Sequence, residues 1–350
     1  MKTEDMEVVR VLMTGGGAPG AAGVIGCLRD DPRVELHVGD ANEWAVGRFL
    51  NERFLRLPKA TDPGFVDFLL DHCLRNSIRV VFPLVTRELL LLSEARARFE
   101  SQGIHVIVSD PADLGIANDK SALLRHLSTH GIPTPDFEVV AAGDLEGVKA
   151  AFRRLGYPGR PLAVKPSISN GSRGVRIIDP SVDRFDLLFN QKPNSLHIDF
   201  AEWISILEGR DFPELLVSEC LPGEEYTIDT LVGHDHMPLI ILPRLRARMS
   251  GGISVEGRFV REDSIIAYCR DIIGSLRLRG PIGIQVKRAA DGGFRILEIN
   301  PRIQGTSVSA MGLGINLPLM ALRSALGEAV SVPEVRWGTR FIRYWREAYY

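Results

Sequence analysis

The chain is poor in cysteine and carries no excess charge of either sign. Only four cysteines occur in 350 residues, at Cys27, Cys73, Cys220 and Cys269. They lie far apart, with no CxxC pair and no Cys/His zinc spacing, which excludes a disulfide framework or a structural zinc as the organising device. The 42 Lys and Arg nearly balance the 44 Asp and Glu, for a net charge of −2, so the basic excess of a general nucleic-acid binder is missing. No apolar run approaches the length of a membrane span; residues 89–92 are among the longest. Residues 1–7 are polar and acidic and lack the apolar centre of a secretory signal. These absences predict a cytoplasmic protein with no membrane or nucleic-acid partner. What is present is 45% hydrophobic and 25% charged residues with 34 Gly and 21 Pro, the balance of a soluble globular chain rich in turns. The length allows two or three domains, each with its own core.

Strand and helix signals alternate up to about residue 115. Strands are expected at 8–13, 34–38, 79–82 and 104–108, with helices through residue 28, over 65–75 and over 88–102. Short connections between them predict a parallel sheet wound by helices. Between the first strand and its helix stands Gly15-x-Gly17-x-x-Gly20, and Asp40 ends the second strand. That spacing fits a dinucleotide fingerprint, and it equally fits a tight strand-to-helix turn in a fold of the same class. Thr86-Arg87-Glu88 follows the third strand, where ligands bind in open α/β sheets.

The texture then changes. Asn118 opens a capped helix over 119–129, closed by Gly131 with Pro133 and Pro135 beyond it. Short strands are expected at 137–140, 162–165, 175–178 and 215–219, with a helix over 145–155 and a mostly polar, helical stretch at 180–213. Strands at 226–232 and 239–242, a helix over 263–276, a hairpin of 282–288 with 294–300, and a last strand at 339–347 complete the chain.

Several features in this second part carry chemistry. Lys120 starts a helix, where the dipole disfavours a cation unless an anion is near, and Lys165 ends a strand. The loop 167–174, with Ser167, Ser169, Gly171, Ser172 and Gly174, can turn several backbone N–H groups toward a phosphate, although it lacks the P-loop pattern. At residues 219–225 a strand enters a Pro-Gly turn and leaves it again, which frees backbone groups for a base edge and places Glu225 within reach of a ribose. Glu298 and Asn300 are two apart on a strand and share a face. If residues 290–293 form a four-residue loop, Gln285 pairs with Glu298 and adds a third oxygen donor, a set suited to a hard divalent cation that keeps phosphate and water ligands. Arg302, just beyond, can reach a transferring phosphoryl group. Arg244, Arg246 and Arg248 alternate on an extended segment and are expected to share a face, as substrate ligands or as a charged sheet edge. His234-x-His236 reads as a polar hairpin tip rather than a metal pair.

Taken in order, these residues resemble the ATP-grasp superfamily, most closely its stand-alone carboxylate–amine ligases like the carbamoyl-phosphate synthetase large subunit. The resemblance covers nearly the whole chain. It implies an α/β fold with an α+β lid: a Rossmann-like pre-ATP-grasp domain at 1–115, an opening helix and lid at 116–218, and a metal-bearing subdomain at 219–350. By the same resemblance Lys120, Lys165 and the loop residues Ser169, Gly171, Ser172 and Gly174 hold ATP phosphates. Backbone at Glu219 and Leu221 meets adenine, and Glu225 meets the ribose. Gln285, Glu298 and Asn300 hold Mg2+ or Mn2+, with Gln285 standing where many relatives have a carboxylate. Arg302 and Arg246 are the expected catalytic residues, and Glu88, Arg244 and Arg248 the expected substrate contacts. The implied reaction joins a small-molecule carboxylate to an amine through an acyl phosphate, with ADP and phosphate released. An NAD(P)-dependent oxidoreductase using the glycine motif and a non-catalytic nucleotide-binding module of the same fold stand as alternatives, and a homodimer as the assembly.

Overall fold

The computed structural model describes residues 7–169, 171, 173–190 and 196–349. The first five strands are β1 (Val9–Thr14), β2 (Val34–Asp40), β3 (Phe54–Arg56), β4 (Val80–Pro83) and β5 (His105–Val106). They form a parallel sheet in the order β3-β2-β1-β4-β5. β1 is central and buried on both faces. Val9, Val11 and Met13 enter a core with Ala21, Val24, Ile25 and Leu28, while Leu12 enters the opposite one with Phe65, Leu69, Leu89 and Leu92, as the two-residue period of a strand requires. Strand order reverses between β1 and β4, so their carboxyl ends bound the crevice in which open α/β sheets take ligands. Thr14 ends β1, and the helix Thr86–Glu94 starts just past β4.

Four strands then build an antiparallel sheet: β6 (Phe137–Val140), β7 (Leu162–Pro166), β8 (Arg176–Ile178) and β9 (Leu215–Glu219), in the order β6-β9-β7-β8. The helix Leu145–Arg154 covers it, burying Val148, Ala151 and Phe152 against Leu162, Val164 and Val217. A six-stranded sheet follows, made of β10 (Glu225–Val232), β11 (Pro238–Ser250), β12 (Ile253–Phe259), β13 (Gly280–Arg288), β14 (Phe294–Asn300) and β15 (Arg340–Ile342), in the order β14-β13-β10-β11-β12-β15.

The structure departs from the sequence expectations in identifiable ways. β11 runs 13 residues and turns directly into β12 through Gly251 and Gly252, whose φ angles of 55° and 77° make a two-residue hairpin turn. The glycine pair is the tip of that hairpin. The helix expected over 88–102 is broken at Ala95 into Thr86–Glu94 and Arg96–Glu100. The 3-10 helix Ser307–Leu313 and the helix Leu317–Ala325, capped by Asn316, carried no sequence expectation. Residues 282–300 turn through a bulge: the Ala289 amide bonds the Gly293 carbonyl at 2.8 Å with Gly292 at φ 84°, in place of the four-residue loop. Among the described residues no helix is long and apolar enough to cross a membrane.

Contacts divide the chain into two compact units, one of residues 1–115, 225–285 and 299–350, the other of residues 116–224 and 286–298.

Candidate functional site

In the second unit the phosphate-loop candidates gather around Lys120. Asp119 caps the helix Lys120–Thr129 by accepting from the Ser121 and Ala122 amides. Lys120 is only 5% exposed. Its Nζ donates to Ser169 O at 2.8 Å and to Ser169 Oγ at 3.3 Å, and lies 3.9 Å from Glu298 Oε2. Its amide bonds Ser167 O at 2.9 Å, and Ser121 and Ser167 share a hydroxyl bond of 2.5 Å. Burial lowers the Lys120 pKa, against the opposing pull of Glu298 and Asp119. A buried ammonium that faces one carboxylate and a small-residue loop is a site that gains from an added anion. Lys165 Nζ donates to Leu297 O at 3.0 Å, so both lysines meet the end of β14 that carries Glu298. Gly171 and Gly174 have φ angles of 64° and 76°. Ser172 lies outside the described residues.

The proposed base hinge starts at the end of β9. The Glu219 amide bonds Asp136 O and its carboxylate accepts from the Asp136 amide at 3.1 Å. The Leu221 side chain is buried. The turn is fixed by the Gly223 amide on Arg288 O at 3.0 Å, and a Cβ on Gly223 would stand 2.7 Å from Arg288 Cβ.

In the first unit the arginine segment does not present one face. β11 slips register against β12 between Arg246 and Arg248, and such a bulge re-aims the side chains beyond it. Arg244 and Arg246 are 1% and 5% exposed, Arg248 58%. Arg244 is paired with the fully buried Asp229 at 3.1 Å, out of reach of a substrate arriving from solvent. Arg248 lies 3.5 Å from Glu256 on the surface. Arg246 binds the Glu225 carboxylate, Gln285 Oε1 at 3.0 Å, Gly252 O at 2.6 Å and Ser254 Oγ at 3.2 Å. It thereby ties the expected ribose acid to an expected metal ligand.

At the crevice of the parallel sheet, Arg302 Nε donates to Thr86 Oγ1 at 2.9 Å and Nη1 to Ile303 O at 2.8 Å. Two residues from Thr86, Glu88 is 7% exposed and accepts a hydrogen bond from Thr14 Oγ1. Burial, with a smaller push from Asp40, raises its pKa to about 7, against the Thr14 hydrogen bond. One helix start thus supplies the Thr86 hydroxyl to Arg302 and the buried Glu88 carboxyl to Thr14. At the carboxyl ends of β2 and β3, a cavity of about 460 Å3 is lined by residues including Arg56, Lys59 and Asp62.

The glycine motif is engaged internally. Gly17 N–H, the donor a pyrophosphate would use, bonds Asp40 Oδ2 at 2.7 Å, and Asp40 Oδ1 accepts from the Asn42 amide at 2.7 Å. The acid expected to hold a ribose is thus occupied by the loop itself. His234 and His236 sit in a turn, bonded to Ser324 O at 2.9 Å and Leu278 O at 3.2 Å.

Among the described residues no group of three or more His, Cys, Asp or Glu could cage a metal. The turn observed at 289–293 is not the four-residue loop on which the pairing of Gln285 with Glu298 rested. The expected donors Gln285, Glu298 and Asn300 offer only oxygen, with a single charge. That chemistry fits Mg2+ completing its shell with phosphate and water, and does not fit a metal held by protein alone.

This architecture is the ATP-grasp fold behind a Rossmann-like domain. Residues 211–344 match the family model described as ATP-grasp in the biosynthetic pathway with Ter operon, and residues 24–107 match the PylC-like N-terminal domain. The N5-carboxyaminoimidazole synthetase from Staphylococcus aureus, complexed with ADP, superposes with a TM-score of 0.68 at 15% identity, over 94% of this chain and 80% of that one. The L-amino acid ligase from Bacillus licheniformis gives 0.64 at 16%, over 91% and 74%. The biotin carboxylase domain of the Hydrogenobacter thermophilus 2-oxoglutarate carboxylase, with MgADP and bicarbonate, gives 0.67 at 16%, over 95% and 73%. At such identities the likeness is one of fold. No curated protein matches the chain.

Proposed function

We propose that the chain is an ADP-forming carbon–nitrogen ligase that joins a small carboxylate to an amine. The observation that carries the reading is the Lys120 ammonium, buried against Ser169 and Glu298, on a strand that also supplies Asn300. The carboxylate oxygen attacks the γ-phosphorus of ATP, and the bond to the ADP oxygen breaks. The amine nitrogen then attacks the acyl carbon, phosphate leaves with the former carboxylate oxygen, and the amine loses a proton. Lys120, Lys165 and the loop 167–174 neutralise phosphate charge, Gln285, Glu298 and Asn300 are the metal ligands, and Arg302 steadies the transferring group. Bound Mg2+ supplies charge neutralisation at the phosphates. Glu88 and the nearby crevice hold the small substrate, with Glu88 suited to an ammonium. The names of the structural neighbours, which include an amino acid ligase crystallised from Bacillus licheniformis, agree with this class. The oxidoreductase alternative loses support because Asp40 occupies the Gly17 amide.

Two measurements test the reading. Mg-ATP should raise the melting temperature and NAD(P)H should not; stabilisation by NAD(P)H alone would overturn the assignment. A Lys120→Met variant keeps the buried volume but loses a charged hydrogen-bond donor, so the KM for ATP should rise ~10–100-fold. An unchanged KM for ATP would remove Lys120 from the nucleotide site.

A further inference from the structure

Arg302 leads a short segment, residues 301–306, that is held on several sides within one unit. Its Nε donates to Thr86 Oγ1 at 2.9 Å, in the first turn of the helix Thr86–Glu94. Behind it, Gly305 backs onto Gly20. A Cβ on Gly20 would lie 2.3 Å from Gly305 O, and one on Gly305 would lie 2.4 Å from Pro19 O, so neither position accepts a side chain. Gly20 also has φ 94°, a conformation that favours glycine. Below, Ser307 Oγ accepts from the Gln304 amide at 3.0 Å and donates to Asp229 Oδ1 at 2.6 Å. Asp229 is fully buried and ion-paired to Arg244. The Gln304 side chain fills the space over Gly283, where a Cβ would come within 1.7 Å of Gln304 Nε2. Two features that the proposed chemistry leaves unused, the glycine motif and Arg244, thus both support this segment.

We infer that Thr86, the Gly20–Gly305 contact and the Ser307–Asp229–Arg244 chain are positioning elements that fix the Arg302 guanidinium for phosphoryl transfer. The inference rests on the ligase reading of Arg302. An arginine has a long, rotatable stem, and a guanidinium already held in place needs no reorganisation as charge develops. The Thr86 hydroxyl accepts the Nε–H hydrogen bond, and with Nη1 on Ile303 O and Nη2 3.5 Å from Asn300 Oδ1 it fixes the plane of the fork beside Asn300. The backbone contact at Gly20 sets the height of the segment, and the buried ion pair sets its far end.

Thr86 gives the cleanest test, because valine keeps its shape and removes only the acceptor, while serine restores it. Wild type, Thr86→Val, Thr86→Ser and Arg302→Ala are compared by ADP release, KM for ATP, melting temperature and amide hydrogen exchange over residues 301–306. Thr86→Val should lose ~10-fold in kcat, the effect of one hydrogen bond to a charged group, with KM for ATP and melting temperature unchanged. Thr86→Ser should recover the rate. Exchange at 301–306 should quicken in Thr86→Val and in Ser307→Ala, which needs no turnover to be read. A wild-type kcat in Thr86→Val while Arg302→Ala is impaired overturns the positioning role but leaves the ligase reading standing. A wild-type rate in Arg302→Ala removes Arg302 from the reaction and takes the inference with it. Equal exchange in Thr86→Val and Thr86→Ser also overturns it.

Discussion

Glu298→Ala should cut magnesium-dependent ADP release by ~1,000-fold or more, the scale on which transition-state charge stabilisation is lost. Glu298 is the only carboxylate among the proposed oxygen donors, so its loss leaves Gln285 and Asn300, two neutral amides, to hold a divalent cation. Hard cations bind such sites weakly without a charged oxygen. The same substitution withdraws the acid that lies 3.9 Å from the buried Lys120, which makes the lysine harder to keep charged. Glu298→Gln separates these effects from loss of fold, because it preserves shape and removes only charge. Both variants should melt as cooperatively as wild type and remain inactive across a Mg2+ or Mn2+ titration. A glutamine variant retaining more than about a tenth of the rate would show that the charge is dispensable, a threshold set by about 1.4 kcal/mol.

The second large effect concerns stability rather than rate. Glu88 has a folded pKa near 7 against an ordinary 4.5. Between those values the folded chain holds a proton that the unfolded chain has lost, so stability falls as pH rises through this window. Below pH 4.5 both states are protonated and there is no penalty; above 7 it is complete, at about 3 kcal/mol by the free energy of one pKa unit. Glu88→Gln removes the titration while leaving an acceptor for the Thr14 hydroxyl. Its stability advantage over wild type in urea denaturation should be absent near pH 4.5 and grow to its full size above pH 7. A difference that does not vary with pH would contradict the assignment of the shifted proton to Glu88. The same variant should lose affinity for an ammonium-bearing substrate, so stability and substrate binding pull in opposite directions at this position.

The parallel sheet, the strands of the β6-β9-β7-β8 sheet and the hairpin at residues 282–300 are legible because apolar periodicity is a local signal. β12 was hidden because Gly251 and Gly252 look the same in sequence whether they loosen a chain or turn it sharply; only their φ angles decide. The three-arginine face failed for a related reason. A bulge inserts one residue into the count, and nothing in Arg244-x-Arg246-x-Arg248 announces it. Residue type and order point to the expected site residues, but their pairings are not visible in the sequence. Lys120 with Glu298, Arg302 with Thr86, and Asp229 with Ser307 are each joined across long stretches of chain. Arg244 is taken up by Asp229, a buried acid that sequence alone gives no reason to notice.

The glycine loop after β1 shows what such a pairing means for ligand choice. Its Gly17 amide already holds the oxygen of Asp40, and its Gly20 backbone already lies against the peptide of Gly305. The chain has become its own occupant there. A tethered occupant is present at an effective concentration that linkage sets in the millimolar range or above. A soluble dinucleotide entering this loop would have to displace the Asp40 carboxylate from the Gly17 amide.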